Sequence, residues 1–190
     1  TVSASFPFLI TQLVRLHQNL FEQNILEQII PNNPLGPVVD AFAKAVQDYG
    51  STDAVMLMVS QPAESNRFDQ LGLEQLLWEK YKITTVRKTL TEIYENGSLR
   101  EGHLILAGKK VALTYYRAGY TPDDFRTSVA LKGRQLIEAS STIQVPDLPM
   151  QLAGMKKIQQ VLTHQEMLSA FASEEISKRF LNTFAAMHTL

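Results

Sequence analysis

The chain has 190 residues, and its 18 Lys and Arg against 19 Asp and Glu give a formal charge of −1. This balance argues against binding to the phosphate backbone of nucleic acids, which calls for a basic excess or a clustered basic face. Cys is absent, which excludes disulfides, thiolate metal sites and cysteine nucleophiles and fits the cytoplasm.

Apolar residues make up 45% of the chain, enough for the core of a single domain. The longest apolar stretch, residues 54–59, is far shorter than the ~18 residues of a membrane span, so no membrane association is expected. The sequence starts at Thr1 rather than at Met and ends without a polar tail. We therefore expect it to be a fragment of a longer chain.

The first part of the chain predicts two helices and a buried strand. Leucines and an isoleucine at helical spacing over residues 9–20 predict a helix, which Ser5 could cap. A proline-rich break over residues 31–37 precedes a second helix, predicted over residues 38–49 and closed by Gly50. The apolar run at residues 54–59 is typical of a strand buried on both faces.

The middle of the chain alternates between helix and strand. Periodicity predicts a helix over residues 68–81, a strand over residues 83–86 and a helical turn over residues 89–94. Two strand-like runs, residues 103–107 and 110–116, flank Gly108-Lys109 and predict a hairpin.

The last part predicts further helices and one more strand. Helices are expected over residues 123–139, 151–162 and 174–187, with a strand over residues 142–145. The alternation favours a three-layer α/β/α fold of the Rossmann-like kind, with a mostly parallel sheet and helical flanks at both ends. We expect residues 1–190 to form one domain.

Ligands of such sheets bind beyond the carboxyl ends of the strands, so the loops after residues 54–59 and 110–116 are the candidate site. Arg117 could hold a carboxylate through two hydrogen bonds, Gly119 permits a tight turn, and Tyr120 could stack on the same ligand. The alternatives are a structural salt bridge for Arg117 and simple packing for Tyr120.

The loop after residues 54–59 contributes a carboxylate and two amides, Glu64, Asn66 and Gln70. Together with Arg117 they would suit the zwitterionic head of an amino acid. The alternative is helix capping, with Asn66 as N-cap and Asp69 in the first turn.

Other polar residues carry weaker signals. Ser3 and Ser5 lie at a helix start that could attract an anion or need only a cap. Lys156 and Lys157 follow Gly154 and are by default solvated, and the histidines lack metal-like spacing. The residues alone indicate a small-molecule-binding α/β module of unknown chemistry.

Four segments resemble the eukaryotic-type glutathione synthetase family, in the family's order and with similar gaps. They read TVSASF at residues 1–6, ESNRFDQ at 64–70, YRAGY at 116–120 and QLAGMKKIQQ at 151–160. The resemblance implies an ATP-grasp ligase that uses ATP and Mg²⁺ to join γ-glutamylcysteine to glycine through an acyl phosphate. It further implies a cytoplasmic homodimer, of which this chain is the substrate-binding domain.

The resemblance also implies roles for individual residues. One group would line the dipeptide near its reacting end: Val2, Ser3, Ala4 and Ser5. A second group would hold the γ-glutamyl head: Glu64, Ser65, Asn66 and Gln70. The substrate loop would be Arg117, Ala118, Gly119 and Tyr120. Lys156 would contact ATP, and no metal ligand is expected within these residues.

The sequence departs from the family's pattern in several places. The family's magnesium-binding Glu-x-Asn pair would precede Thr1, and its glycine-rich lid would follow this stretch, so we expect the chain to bind without catalysing. The family's Trp-Glu-Ala-Arg run is replaced over residues 130–134, which puts the packing of that helix in doubt.

Two other functions compete with the ligase. In a non-catalytic α/β binding or interaction module, Arg117 and Glu64 would contact each other with no open pocket between the loops. A Rossmann-type nucleotide-binding fold is disfavoured, because no glycine-rich turn follows Val59 or Val86.

Overall fold

The computed structural model describes residues 6–21, 27, 31–185 and 187. The chain divides into two compact units, one within residues 3–145 and one within residues 146–190.

The first unit contains a six-stranded sheet and the helices that pack on it. Its helices are α1 (Pro7–Leu20), α2 (Leu35–Asp48), α3 (Arg67–Tyr81), α4 (Leu90–Asn96) and α5 (Ser128–Glu138), with a 3₁₀ turn at Pro122–Phe125. Its strands are β1 (Val55–Val59), β2 (Thr85–Lys88), β3 (Gly97–Arg100), β4 (His103–Leu106), β5 (Lys109–Tyr116) and β6 (Ile143–Val145).

The sheet mixes parallel and antiparallel pairing. Strand β1 lies between β2 and β5 and runs parallel to both. The other edge of β5 is shared, since its start pairs antiparallel with β4 and its later part pairs parallel with β6. Strand β3 adds antiparallel to β4. The α/β class is confirmed, while the expectation of a mostly parallel, Rossmann-like sheet in three layers is not.

Strand β1 contributes to two apolar cores. Met56 and Met58 pack with buried residues of α2 and α3, whereas Val55, Leu57 and Val59 pack with buried residues of α4 and α5. All five side chains are buried, as expected for a strand covered on both faces. The cores fix the end of β1, from which one candidate loop starts.

Several predicted elements are present with shifted ends. Helix α3 ends at Tyr81, followed by Lys82 in a left-handed conformation (φ 58°), and the strand predicted over residues 83–86 begins only at Thr85. The hairpin turn consists of Ala107 and Gly108, both with positive φ, rather than of Gly108 and Lys109. Helix α1 begins at Pro7 with Phe6 in the capping position, and the proposed cap Ser5 lies outside the described residues.

Helix α4 begins with a reciprocal pair of hydrogen bonds. The backbone N–H of Glu92 donates to Thr89 Oγ1 at 3.2 Å, and the backbone N–H of Thr89 donates to Glu92 Oε2 at 2.8 Å. The Thr89 N–H is the main reason that the pKa of Glu92 is lowered. This cap fixes where the chain leaves β2 and turns into α4.

The second unit contains short helices, α6 (Leu148–Ala153), α7 (Lys156–Leu162), α8 (Gln165–Leu168) and α9 (Glu174–Leu181). The single helix predicted over residues 151–162 is broken at Gly154 and Met155. The helix predicted over residues 174–187 ends at Leu181. Within the described part of the chain, no helix has the length and apolar character needed to cross a membrane.

Candidate functional site

The two candidate loops leave the sheet side by side. Strands β1 and β5 are parallel neighbours, and the Arg117 N–H donates to the Val59 carbonyl at 2.8 Å directly beyond them. On the other side of β1, the Ser60 N–H donates to the Lys88 carbonyl at 3.0 Å. The carboxyl ends of β1, β2 and β5 therefore form one edge of the sheet, where ligands of α/β folds bind.

Arg117 is buried at this edge, with 6% of its surface exposed. Its Nη1 lies 3.5 Å from Asp69 Oδ2 and donates to the Tyr115 hydroxyl at 3.1 Å. The rings of Phe6 and Tyr115 lie 5.7 and 5.8 Å from the guanidinium carbon. A buried cation needs such partners, because an uncompensated charge in the interior is strongly unfavourable.

Asp69 connects the Arg117 loop to two helices. It belongs to the first turn of α3 and is 1% exposed. Its Oδ1 accepts hydrogen bonds from the backbone N–H groups of Phe8 and Leu9, both at 3.0 Å, at the start of α1. The capping alternative placed Asp69 in the first turn of its own helix, α3, and it lies there. Its carboxylate, however, accepts hydrogen bonds from the first turn of a different helix, α1.

Asn66 and Gln70 lie one helical turn apart at the start of α3, and each has a buried amide nitrogen without a hydrogen-bond partner, Nδ2 and Nε2 respectively. The Asn66 side chain forms no capping hydrogen bond either, although Asn66 occupies the N-cap position. A buried donor without a partner costs about 1–3 kcal/mol, so these two amide nitrogens are candidate donors to a ligand or to an ordered water.

Glu64 and Ser65 lie in the loop before α3. Glu64 is half-buried, and its Oε1 accepts a hydrogen bond from the Asn66 N–H at 2.8 Å, whereas Ser65 is exposed. Among the described residues, the ion pair of Arg117 is formed with Asp69 and not with Glu64. The contact that the non-catalytic alternative required between Arg117 and Glu64 is therefore not the one observed.

The segment after Arg117 is held by its own polar contacts. Ala118 is buried, and Gly119 has a φ of 91°, a value that favours glycine. The Tyr120 hydroxyl donates to the Arg117 carbonyl at 2.9 Å. Burial raises the pKa of Tyr120 despite the opposing charge of Arg117, so the phenol stays protonated and donates. Tyr120 thus fixes the loop rather than only packing against it.

Asp124 closes this loop from the other end. Its Oδ2 accepts hydrogen bonds from the backbone N–H groups of Tyr120 at 3.3 Å and Thr121 at 3.1 Å, and from the Thr121 hydroxyl at 2.9 Å. Burial alone would raise the pKa of Asp124, but hydrogen bonds from Thr121, Gly119 and Tyr120 outweigh it and lower the pKa. Sequence reasoning missed Asp124, although the Thr-x-x-Asp spacing after Tyr120 is a capping signal.

An open cleft of about 620 Å³ lies at the same edge of the sheet, on the side of α4 and α5. Its lining comprises residues 60–63, 89–91, 118, 123, 124, 126, 127 and 130. Of the predicted site residues, only Ala118 lines it. Arg117 instead pairs with Asp69 of α3, the helix that also carries Asn66 and Gln70. These four residues are called the buried polar group, and none of them lines the cleft.

The remaining predicted site residues cannot be joined to this group. Val2, Ser3, Ala4 and Ser5 lie outside the described residues. Lys156, in the second unit, is exposed at the start of α7, where its Nζ donates to Gln159 Oε1 at 3.1 Å. Within the described residues, no group of three or more acidic or histidine side chains is arranged to hold a metal ion.

The fold and the buried polar group define an α/β domain with a candidate small-molecule site at the carboxyl edge of its sheet. The chain belongs to the eukaryotic glutathione synthase family, whose sequence model matches residues 54–153. This range includes both candidate loops, and it confirms the resemblance carried by the ESNRFDQ and YRAGY segments.

Individual relatives agree with this assignment. The chain is 39% identical over 178 residues to the chloroplastic glutathione synthetase of Solanum lycopersicum, covering 90% of this chain and 33% of the relative. It is 34% identical over 197 residues to the glutathione synthetase of Rattus norvegicus, covering 100% of this chain and 41% of the relative. The chain thus spans between a third and about two-fifths of the length of these relatives.

A solved structure shares the fold. A glutathione synthetase-like effector of Globodera pallida superimposes with a TM-score of 0.69 over 94% of this chain and 41% of the effector, at 18% sequence identity. At this identity the likeness supports the fold alone.

Proposed function

We propose that this chain is the substrate-binding domain of a glutathione synthetase and that it binds γ-glutamylcysteine at the buried polar group, which includes Arg117 and Gln70. The observation that carries the proposal is the pair of buried, unpartnered amide donors, Asn66 Nδ2 and Gln70 Nε2, on the helix whose Asp69 pairs with Arg117. The relatives' names add the substrate class, because glutathione synthetases act on a γ-glutamyl dipeptide.

The γ-glutamyl end of this dipeptide is a free amino-acid head, with an ammonium that only donates hydrogen bonds and a carboxylate that only accepts them. The guanidinium of Arg117 and the amide nitrogens of Asn66 and Gln70 match the carboxylate, and the Glu64 carboxylate matches the ammonium. The backbone of Ser65, Ala118 and Gly119 and the side chain of Tyr120 would shape the walls, with Val2, Ser3, Ala4 and Ser5 near the reacting end.

In the full reaction, ATP would phosphorylate the dipeptide's terminal carboxylate, and the amine of glycine would then displace the phosphate. The exposed ammonium of Lys156 has the charge needed to contact a phosphate of ATP. Because the relatives are two to three times as long, we propose that the Mg²⁺ ligands and most ATP contacts belong to a longer protein and that this chain binds without catalysing. A cytoplasmic homodimer is the proposed setting, although some relatives are chloroplastic.

We also propose that the parallel strands and the helices of both cores form the three-layer arrangement of a substrate-binding α/β domain. The support is that alternate side chains of β1 enter cores with different helices. The antiparallel hairpin would then be an extension at one edge of this arrangement.

The test is an NMR titration of the ¹⁵N-labelled chain with γ-glutamylcysteine up to millimolar concentration. We expect saturable amide shifts confined to residues 64–70 and 117–120. The control ligand is α-glutamylcysteine, whose head carboxylate is consumed in the peptide bond and which should shift these signals far less.

A matched pair of variants makes the test specific. Gln70→Leu removes the buried donor at similar volume and should weaken binding about tenfold or more. Gln75→Leu changes an exposed glutamine of the same helix, bonded to Glu79, and should leave binding unchanged. Shifts that are absent, or scattered and equal for both dipeptides, would contradict the proposal and favour a non-catalytic module.

A further inference from the structure

The side chain of Gln70 contacts an ion pair, Arg87–Glu74, that is not part of the site described above. Arg87 of β2 donates two hydrogen bonds to Glu74 of α3, from Nε to Oε1 at 2.9 Å and from Nη2 to Oε2 at 3.0 Å. Its remaining nitrogen, Nη1, donates to Gln70 Oε1 at 2.9 Å. Both side chains of the ion pair are largely buried, with 19% exposed in each.

This contact determines which way the Gln70 amide faces. A guanidinium has only donors, so the amide atom that meets Arg87 must be the carbonyl oxygen. The amide nitrogen then points away from Arg87, and it is the atom that is buried without a partner. Because Glu74 holds the guanidinium in a fixed two-pronged geometry, the amide cannot turn over without losing its bond to Arg87.

We propose that Arg87, held by Glu74, is a positioning residue that fixes Gln70 as a hydrogen-bond donor toward the ligand. The ligand group that meets Gln70 Nε2 must then supply an acceptor, and the head carboxylate of the γ-glutamyl residue, which has two acceptor oxygens and no donor, fits this requirement best. This inference rests on the proposed function and adds the basis of selectivity for a carboxylate over its neutral amide.

A purely structural role for Arg87 explains the contact with the Gln70 oxygen but not the state of the Gln70 nitrogen. Glu74 accepts from two of the five N–H donors of Arg87, and Gln70 Oε1 accepts from a third. The fold nevertheless buries Gln70 to 1% exposure and leaves its nitrogen unpaired, which costs stability unless a ligand supplies an acceptor. The unpartnered nitrogen of Asn66, one turn earlier, adds a second donor on the same helix.

The test compares two ligands, γ-glutamylcysteine and its analogue with a carboxamide in place of the head carboxylate. The wild-type chain should prefer the carboxylate. Arg87→Met keeps an unbranched side chain, shorter than that of Arg, and removes its donors, so Gln70 can turn over and accept from the carboxamide. We expect the ratio of the two dissociation constants, carboxamide over carboxylate, to fall about tenfold in Arg87→Met, and less in Arg87→Lys, whose single ammonium nitrogen still donates.

A second readout follows Gln70 directly. Its side-chain ¹H–¹⁵N signals should shift when γ-glutamylcysteine binds to the wild-type chain, since the ligand becomes the acceptor for Nε2. In Arg87→Met this shift should shrink. Lys88→Met is the matched control, because it removes a neighbouring ion pair of the same strand, with Glu92, and should leave the ratio at its wild-type value.

The outcomes separate the inference from the proposed function. If the amide spectrum of Arg87→Met loses its dispersion, that variant is unfolded, and Glu74→Gln is measured in its place. Glu74→Gln loosens the guanidinium and should also lower the ratio of the two dissociation constants. A folded Arg87→Met or Glu74→Gln chain with the wild-type ratio overturns the inference alone. A wild-type chain that does not bind γ-glutamylcysteine overturns the proposed function, and the inference with it.

Discussion

Asp69 shows how much a single buried side chain can determine at this site. One carboxylate oxygen accepts from two backbone N–H groups of α1, and the other lies beside Arg117. The first turn of a helix has N–H groups without helical partners, so a buried carboxylate there satisfies donors and opposes the charge of Arg117 at once. The position of Arg117 and the start of α1 therefore depend on the same residue.

Replacing Asp69 with Ala should destabilise the protein by about 3 kcal/mol or more, because it leaves the Arg117 charge and two N–H groups without this partner. Asp69→Asn keeps the acceptor for α1 and loses only the charge, so its effect should be smaller. The measurement is urea unfolding followed by circular dichroism.

The control for this series is Asp123→Ala. Asp123 also pairs with an arginine, Arg126, but both side chains are more than three-quarters exposed. Exposed pairs contribute about 0–1 kcal/mol, so this variant should unfold close to the wild-type midpoint. Equal effects of Asp69→Ala and Asp123→Ala would show that the buried carboxylate does not hold the site together.

Sequence reasoning selected candidate ligand-binding residues but not the side chains that contact them from other elements. Arg117, Asn66 and Gln70 follow strands or begin a helix, so the rule for the carboxyl ends of strands selects them. Asp69 and Arg87 act through contacts between elements far apart in the chain. No spacing pattern encodes such pairs, and they become visible only when the sheet brings α1, α3 and β2 together.

At the scale of elements, the close packing of α4 and α5 depends on a glycine. Helix α5 buries Ala130, Gly133 and Ile137 on one face, and a Cβ at position 133 would collide with the backbone carbonyl of Leu90 at the start of α4. The family's Trp-Glu-Ala-Arg run is replaced in this stretch, yet the helix forms. Small residues here let α5 approach α4 closely.

Gly133→Ala should therefore destabilise the protein by about 1–3 kcal/mol, because the neighbour is rigid backbone rather than a flexible side chain. Gln135→Ala is the matched control, since Gln135 is exposed on the same helix. There the substitution should change the stability by less than about 0.5 kcal/mol. Thermal unfolding of both variants measures the difference, and equal shifts would refute the packing argument.

Elements with a strong local signal were predicted well, and those that depend on partners were not. The apolar run of β1 and the hairpin of β4 and β5 are present in the structure. Strand β3 was missed because Gly97-Ser98-Leu99-Arg100 has little strand propensity and extends only through its pairing with β4. The break between α6 and α7 was also missed. The helical pattern continues on both sides of Gly154, and a single glycine within such a pattern does not by itself predict a break.

At the scale of the whole molecule, the two units differ in how much apolar surface they bury. Both cores, including all of β1 and most of β5, lie within residues 3–145. In the described part of residues 146–190, the buried residues are Pro146, Leu168 and Ser177, while Phe171 is 78% exposed. Local stability follows buried apolar contacts, so the units should open with different free energies.

Native-state hydrogen exchange should resolve this difference. We expect the slowest amide exchange in β1 and β5 and much faster exchange in α7 and α9, whose helical hydrogen bonds are supported by little burial. Helix α2 is the internal control, because it is also a helix but buries Val39, Phe42, Ala43 and Val46 against the sheet, and it should exchange slowly. If α7 and α9 were protected as strongly as α2, burial within the described chain would not account for their stability, and an additional stabilising partner for residues 146–190 would be required.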